Sequence, residues 1–348
     1  MFFFIRIASV LLLMQVLPAI YLYFRYLRRK PRMRNILIWT VVLLVMGTVW
    51  YISYGFRTGR PEWLCHLFFH LLLGISMAGI LFCLCDLIAL AIKKIPFLSR
   101  TIKGIGLGLA ALALIITVMA YMIGNKRIEV KEYTFASKDL PAAFDGFRIV
   151  HISDLHLGTY GEDSARVTQL IDKTLEQHGD IIIFAGDLVN MESKEALPFK
   201  QQLRRLTAPY GVWSILGNHD YAVYRNYAEK QEQLADIRQL VEIEKDCGWH
   251  LLRNENAIIE KDSDRIALIG VENDGKPPFP HLADIPKALK GLPQDVNFKI
   301  LMTHDPSHWR RSVLKDTDAQ LTLAGHTHGM QFKFAGWSPA SWVYKEWG

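Results

Sequence analysis

At 348 residues the chain has room for one large domain or two smaller ones, and 51% of it is hydrophobic. Its formal charge of +6 is unevenly held: residues 1–126 carry 14 Lys/Arg against two acids, Glu62 and Asp86, while the remainder carries 26 against 32 Asp/Glu. The acidic remainder argues against nucleic acid as a partner, because phosphate-backbone binding needs a basic face, and four cysteines with no CxxC and no even framework argue against a disulfide scaffold or a sulfur-ligated zinc site.

Four apolar stretches come first, roughly 3–23, 36–54, 64–92 and 104–123. A helix needs about 20 apolar residues to cross the hydrocarbon core, so each is read as a transmembrane helix, the third with tilt or an interfacial end. A cleaved signal peptide is a poor reading of the first, since its only early charge is Arg6, no small-residue cleavage site follows it and further spans come after it. The loop after the first stretch carries Arg28, Arg29, Lys30, Arg32 and Arg34, and the loop after the third carries Lys93, Lys94, Arg100 and Lys103. The loop between has Arg57 and Arg60. The bias toward cytoplasmic Lys and Arg therefore places the amino terminus and everything after the fourth span outside, with Trp50, Tyr51, Tyr54 and Trp63 as an outer aromatic belt. Within the third stretch Asp86 is expected near the inner end, paired with water or with a lysine, one to two turns from Lys93 and Lys94. His66 and His70 are expected to be solvated at the interface.

After a linker near 128–145, apolar runs of strand type alternate with helical patterns. Strands are expected at 148–152, 181–184, 212–216, 299–302 and 320–323, with a hairpin of 257–260 and 265–270. Helices are expected at 164–178, 194–206, 224–246 and 285–290. This alternation indicates a layered α/β domain, in which ligands collect beyond the carboxyl ends of strands.

Polar motifs sit at those ends: Asp154-Leu-His156, Gly186-Asp187, Gly217-Asn218-His219-Asp220, Thr303-His304-Asp305 and Gly325-His326-Thr327-His328. Carboxylate, amide oxygen and imidazole are the ligands of divalent metal ions. Seven candidates, Asp154, His156, Asp187, Asn218, His304, His326 and His328, are too many for one tetrahedral ion. They suit two ions sharing a bridging carboxylate, the site of a two-metal hydrolase. Other polar residues receive blander readings. His151 packs in the first strand, and His178, His250, His281 and His308 are solvated. Arg310 and Arg311 form a solvated helix face, and Tyr221, Tyr224 and Tyr227 either line an entrance or pack.

These five blocks, in this order over about 175 residues, resemble those of the calcineurin-like metallophosphoesterase family, and the apolar helices resemble its membrane-anchored YkuE-like branch. The resemblance implies a four-layer α-β-β-α sandwich over residues 127–348, preceded by an α-helical anchor of about four transmembrane helices in residues 1–126. It implies that Asp154, His156 and His328 hold one metal, that Asn218, His304 and His326 hold the other, and that Asp187 bridges them. The ions expected are two divalent metals, Mn, Fe, Zn or Mg, sharing a bridging hydroxide that attacks phosphorus in line. His219 is the expected general acid, with Asp220 orienting its imidazole. The sequence departs from the family at Met330, where a second glycine is usual, and it stops soon after the last ligand, with Trp337, Trp342, Tyr344 and Trp347 at its end, so the closing strands of the second sheet are expected to be missing. The expected protein is a multi-pass inner (cytoplasmic) membrane phosphoesterase acting outside on a phosphomonoester or phosphodiester, including a lipid-linked one. Two alternatives stand beside it. One is a UDP-diacylglucosamine pyrophosphatase of lipid A synthesis at the cytoplasmic face; the other is a non-catalytic membrane protein that keeps the fold.

Overall fold

The computed structural model describes residues 2–54, 62–123, 128–161, 163–275 and 279–328. The side chains of His66, Tyr51, Tyr54 and Trp63, together with Met330 and the aromatic ending, lie outside the described residues. The chain divides into two compact units, Met1–Glu129 and Val130–Gly348.

The first unit is four helices, α1 (Phe2–Leu22, continued by a π turn Tyr23–Leu27), α2 (Pro31–Tyr54), α3 (Glu62–Ala91) and α4 (Pro96–Ile123). Three of them hold segments long and apolar enough to cross a membrane, Pro31–Trp50, Leu67–Ala91 and Pro96–Met122, and a shorter apolar helix covers Leu12–Leu27. Trp39, Leu43, Met46, Leu112 and Ile115 are exposed on this unit. That inversion of a water-soluble surface suits hydrocarbon as the solvent. One polar contact joins α1 to α2: Gln15 Nε2 donates to Thr48 Oγ1 at 2.7 Å.

Asp86 is fully buried. Its partners differ from the sequence expectation: Tyr21 and Tyr26 donate to it at 2.7 and 2.5 Å, and Arg25 Nε and Lys103 Nζ lie 3.3 and 3.2 Å away. The lysine comes from the next helix, not from the Lys93–Lys94 pair, because α4 packs along α3 and returns its first turns to the level of Asp86. His70 is not simply solvated either; its ring meets that of Tyr121 edge-on at 5.6 Å.

Among the described residues the second unit contains two four-stranded sheets. One has the order β1 (Ile149–Ile152), β2 (Ile181–Phe184), β3 (Val212–Ser214), β4 (His250–Leu251), all parallel. The other has the order β5 (Glu255–Lys261), β6 (Asp264–Gly270), β7 (Lys299–Met302), β8 (Leu321–Leu323), with β5–β6 antiparallel and the rest parallel. Side chains alternate across each strand, which explains why β2 is buried on both faces. Ile181 and Ile183 meet Ile266, Leu268, Ile300 and Met302 of the facing sheet. Ile182 and Phe184 point the other way, toward Val167 and Ile171 of α5 (Ser164–Leu175) and Leu240 and Ile243 of α7 (Lys230–Asp246). On the far side of the second sheet, Ile269 and Leu301 meet Ile285 and Ala288 of α8 (Ile285–Leu289) and Val313. The result is the four-layer helix–sheet–sheet–helix arrangement that the sequence implied.

Two helices differ from expectation for local reasons. The stretch 194–206 is a 3-10 segment, Ser193–Phe199, followed by one α turn, α6 (Lys200–Leu203), because Pro198 has no N–H to give. The helix expected from Tyr224 starts at Lys230. Tyr224 is committed instead to contacts with Asn218 and His219. The short strand β4 left no readable period.

Candidate metal centre

Every candidate ligand sits two to five residues past a strand end. Asp154 and His156 follow β1, Asp187 follows β2, Asn218 follows β3, His304 follows β7, and His326 and His328 follow β8. Because all these strands are parallel within their sheets, their carboxyl ends share one edge. The loops then knit to one another through backbone hydrogen bonds. Asp154 N donates to Gly186 O at 2.9 Å, His156 N to Asp187 O at 3.1 Å, and Gly325 N to His304 O at 3.0 Å.

The ligand atoms gather in two groups that share one residue. Those of Asp154, His156, Asp187 and His328 all lie within 4.8 Å of one another, as do those of Asp187, His304 and His326. Asp187 Oδ2 lies 3.0 Å from His304 Nε2 and 3.7 Å from His156 Nε2. Asp154 Oδ1 lies 3.2 Å from His328 Nε2. Both chain neighbours of Asn218 reach Asp187: Gly217 abuts it so closely that an added Cβ would strike its carboxylate, and His219 N donates to Asp187 Oδ1 at 2.8 Å.

Five of these residues hold backbone conformations that side chains avoid: Asp154, His156, Asp187, His326 and His328 have φ between +45° and +74°. Such conformations cost free energy and persist where surrounding structure imposes them, which happens most often at functional sites. Gly186, at φ +90° and against Gly217, makes room for the Asp187 loop.

The donor chemistry fits divalent cations. Asn218 Oδ1 is buried and makes no hydrogen bond, and His304 Nε2 is buried against Asp187 Oδ2 at 3.0 Å. Buried polar atoms are ordinarily paired, so an unpaired amide oxygen beside a cluster of N and O donors fits a cation there. His304 Nδ1 is 2.7 Å from Ala185 O, an arrangement that holds a proton on Nδ1 and turns Nε2 toward Asp187 Oδ2. Electrostatics agree. Burial opposes ionisation of Asp187, but His304, His219 and His156 outweigh it and hold the carboxyl far below the usual carboxylate range. Burial likewise pushes His304 down, and Asp187 and Asp154 override it, raising the imidazole to about 9. His156, where burial dominates, falls to about 4. The two carboxylates thus create a field that draws positive charge to the centre.

His219 stands at the edge of the cluster, its ring 4.7 Å from that of His156. Its orientation comes from a source other than the one expected. Nδ1 lies 2.6 Å from Asn190 O, whereas the Asp220 carboxylate accepts four backbone N–H groups, from Asp187, Gly217, Leu188 and Val189, at 2.7, 2.8, 2.8 and 3.2 Å. Asp220 therefore pins the Asp187 loop to the Asn218 loop and does not touch the imidazole. A chain turning back through a 3-10 segment, His219–Tyr221, sends neighbouring side chains in different directions. Asn190 was missed because a backbone carbonyl leaves no signature in residue type.

Other histidines and arginines also depart from the sequence reading. His151 is exposed rather than packed. His308 is buried, with Nδ1 2.9 Å from Thr303 Oγ1. His281 is exposed yet paired with Asp274, and His250 stacks on Trp213 at 4.6 Å. Arg311 is not a solvated face. Its guanidinium binds Asp274 at 2.6 and 3.0 Å and lies 3.6 Å from Asp305, tying the loop after β6 to the helix after β7.

With that geometry in hand, known proteins give a consistent answer. The family model for calcineurin-like phosphoesterase matches residues 147–330. Similar proteins include the uncharacterized metallophosphoesterase YkuE of Bacillus subtilis, 32% identical over 61% of this chain and 68% of that protein. A transmembrane protein with metallophosphoesterase domain from Danio rerio is 27% identical over 63% of this chain, which spans only half of that protein. The UDP-2,3-diacylglucosamine pyrophosphatase LpxG of Chlamydia trachomatis is 28% identical over 56% of this chain and 68% of its own length.

Proposed function

Because this chain belongs to the calcineurin-like phosphoesterase family, we propose that it is a membrane-anchored hydrolase of phosphate mono- or diesters that works with two divalent cations. The carrying observation is the pair of ligand groups joined at Asp187. Asp154, His156 and His328 would hold one cation and Asn218, His304 and His326 the other, with the Asp187 carboxylate, which belongs to both ligand groups, shared between them. When bound, the cations supply Lewis acidity toward the phosphoryl oxygens and a water acidified to near-neutral pKa. Asn218 contributes an oxygen without charge, which limits the repulsion an anionic substrate meets. His219, with Nδ1 held by the Asn190 carbonyl, presents Nε2 to the leaving oxygen and delivers a proton there. Residues 1–126 form the anchor and residues 127–348 the catalytic portion. The anchor keeps the centre near a bilayer, which favours a lipid-linked substrate.

The Lys/Arg-rich loops at 28–34 and 93–103 favour a catalytic unit outside the cytoplasmic membrane. Likeness to LpxG favours a second reading, hydrolysis of a nucleoside-diphosphate-linked lipid at the cytoplasmic face. The test common to both uses the purified full chain in detergent. Asp187→Ala and Asn218→Ala should each abolish hydrolysis of bis(4-nitrophenyl) phosphate, and chelation should do the same to the native chain. Undiminished turnover in either variant would remove the assignment.

A further inference from the structure

Asn218 poses a problem that the other ligands do not. A carboxamide has one end that coordinates a cation and one that repels it, and the two ends are nearly the same shape. The residue is 1% exposed and its Oδ1 is buried without a hydrogen bond, so water does not orient it. The other end is held: Nδ2 donates to Tyr224 Oη at 2.8 Å. The Tyr224 ring is itself fixed, stacked on the His219 imidazole with centroids 4.1 Å apart and planes 23° apart. It also lies 6.4 Å from Phe279, whose ring packs edge-on against His326 at 5.7 Å.

We propose that Tyr224 is a positioning residue for the metal centre, its hydroxyl holding the Asn218 carboxamide in the plane that presents Oδ1 to a cation. The inference rests on the assignment of Asn218 as a ligand made above. A hydroxyl accepts as readily as it donates, so Tyr224 fixes the plane of the amide and the cation selects the oxygen. Accepting from Nδ2 also polarises the amide toward its oxygen and leaves Oδ1 a better donor atom. Hydrogen bonds behind a ligand commonly set metal affinity within 10–100-fold. Tyr224 reaches the cation only through Asn218, so its effect should disappear when Asn218 is gone.

Stripping the full-length protein of metal in detergent and titrating it with Mn2+, with free ion read by electron paramagnetic resonance, separates the possibilities. Tyr224→Phe keeps the ring and its stack on His219 and removes the hydroxyl alone. The expected result is that one of two Mn2+ binding steps weakens by about tenfold or more while the other is unchanged. In an Asn218→Ala background, already weakened at that step, Tyr224→Phe should change nothing further. Native affinity in Tyr224→Phe, equal weakening of both steps, or a further loss in the double variant would each overturn the role of Tyr224. If Asn218→Ala itself binds two ions as the native chain does, the ligand assignment fails first, and that outcome is distinguishable from the others.

Discussion

Asp187 carries several demands at once. Its Oδ2 faces His304 and His156, its Oδ1 accepts the His219 amide, and its own amide is held by Asp220. It does so at φ +59°, one of the conformations that cost on the order of 1–3 kcal/mol each. The Asp220 carboxylate, sunk among four amides, stabilises that loop. His219 is where chemistry and framework separate most cleanly, since its side chain touches the ligands edge-on without belonging to either ligand group. His219→Gln should therefore lower kcat by about 10²–10⁴ while the metal content of the purified protein stays native. The loss should shrink for 4-nitrophenyl esters, whose leaving group needs no proton; a loss of metal in that variant would reassign His219 to the ligand set.

At the scale of elements, α7 and β3 are joined by a buried acid that the centre does not use. Glu244 is 1% exposed, accepts from Ser214 Oγ at 2.5 Å, and leaves Oε1 without a partner. Burial is the main cause that pushes its pKa from 4.5 up to about 8, with the Ser214 hydrogen bond pulling the other way. In the unfolded chain the group ionises near its ordinary value, so between about pH 4.5 and pH 8 the unfolded state binds fewer protons than the folded one. Stability from this group is thus complete below that window and is lost as pH rises through it, by about 1.4 kcal/mol per pH unit. Glu244→Gln cannot ionise. Urea unfolding of the full chain, followed by tryptophan fluorescence, should show the variant gaining on the native protein steadily from pH 5 to pH 8; a difference independent of pH would mean that Glu244 is ionised in the fold. Element boundaries show the limit of local patterns. The period of α7 was readable over its apolar face, but its start follows Tyr224, whose partners lie six and five residues back in the same β3–α7 connection. Asp86 makes the same point in the membrane unit, where proximity along α3 suggested Lys93 and Lys94 while the packing of α4 supplied Lys103.

For the whole molecule, charge and hydropathy divide the chain where the structure also divides it, near residue 129. The basic loops at 28–34 and 93–103 predict that the second unit is outside. Alkaline phosphatase fused after Lys126 should be active and green fluorescent protein at the same point dark; the reverse pattern would place the unit in the cytoplasm and favour the nucleoside-diphosphate reading. What the amino-acid sequence determined by itself was the inventory: apolar helices, strands of buried type, and a Asp, Asn or His after each strand end. Those follow from local chemistry, because apolar runs of a given length have few stable destinations and polar ligands beside them have few uses. Only the tertiary structure decided which groups meet. Asp154 and His326 are 172 residues apart and touch, whereas His219 and Asp220 are adjacent and do not, because contacts between loops depend on strand order, register and the direction in which each backbone leaves its sheet.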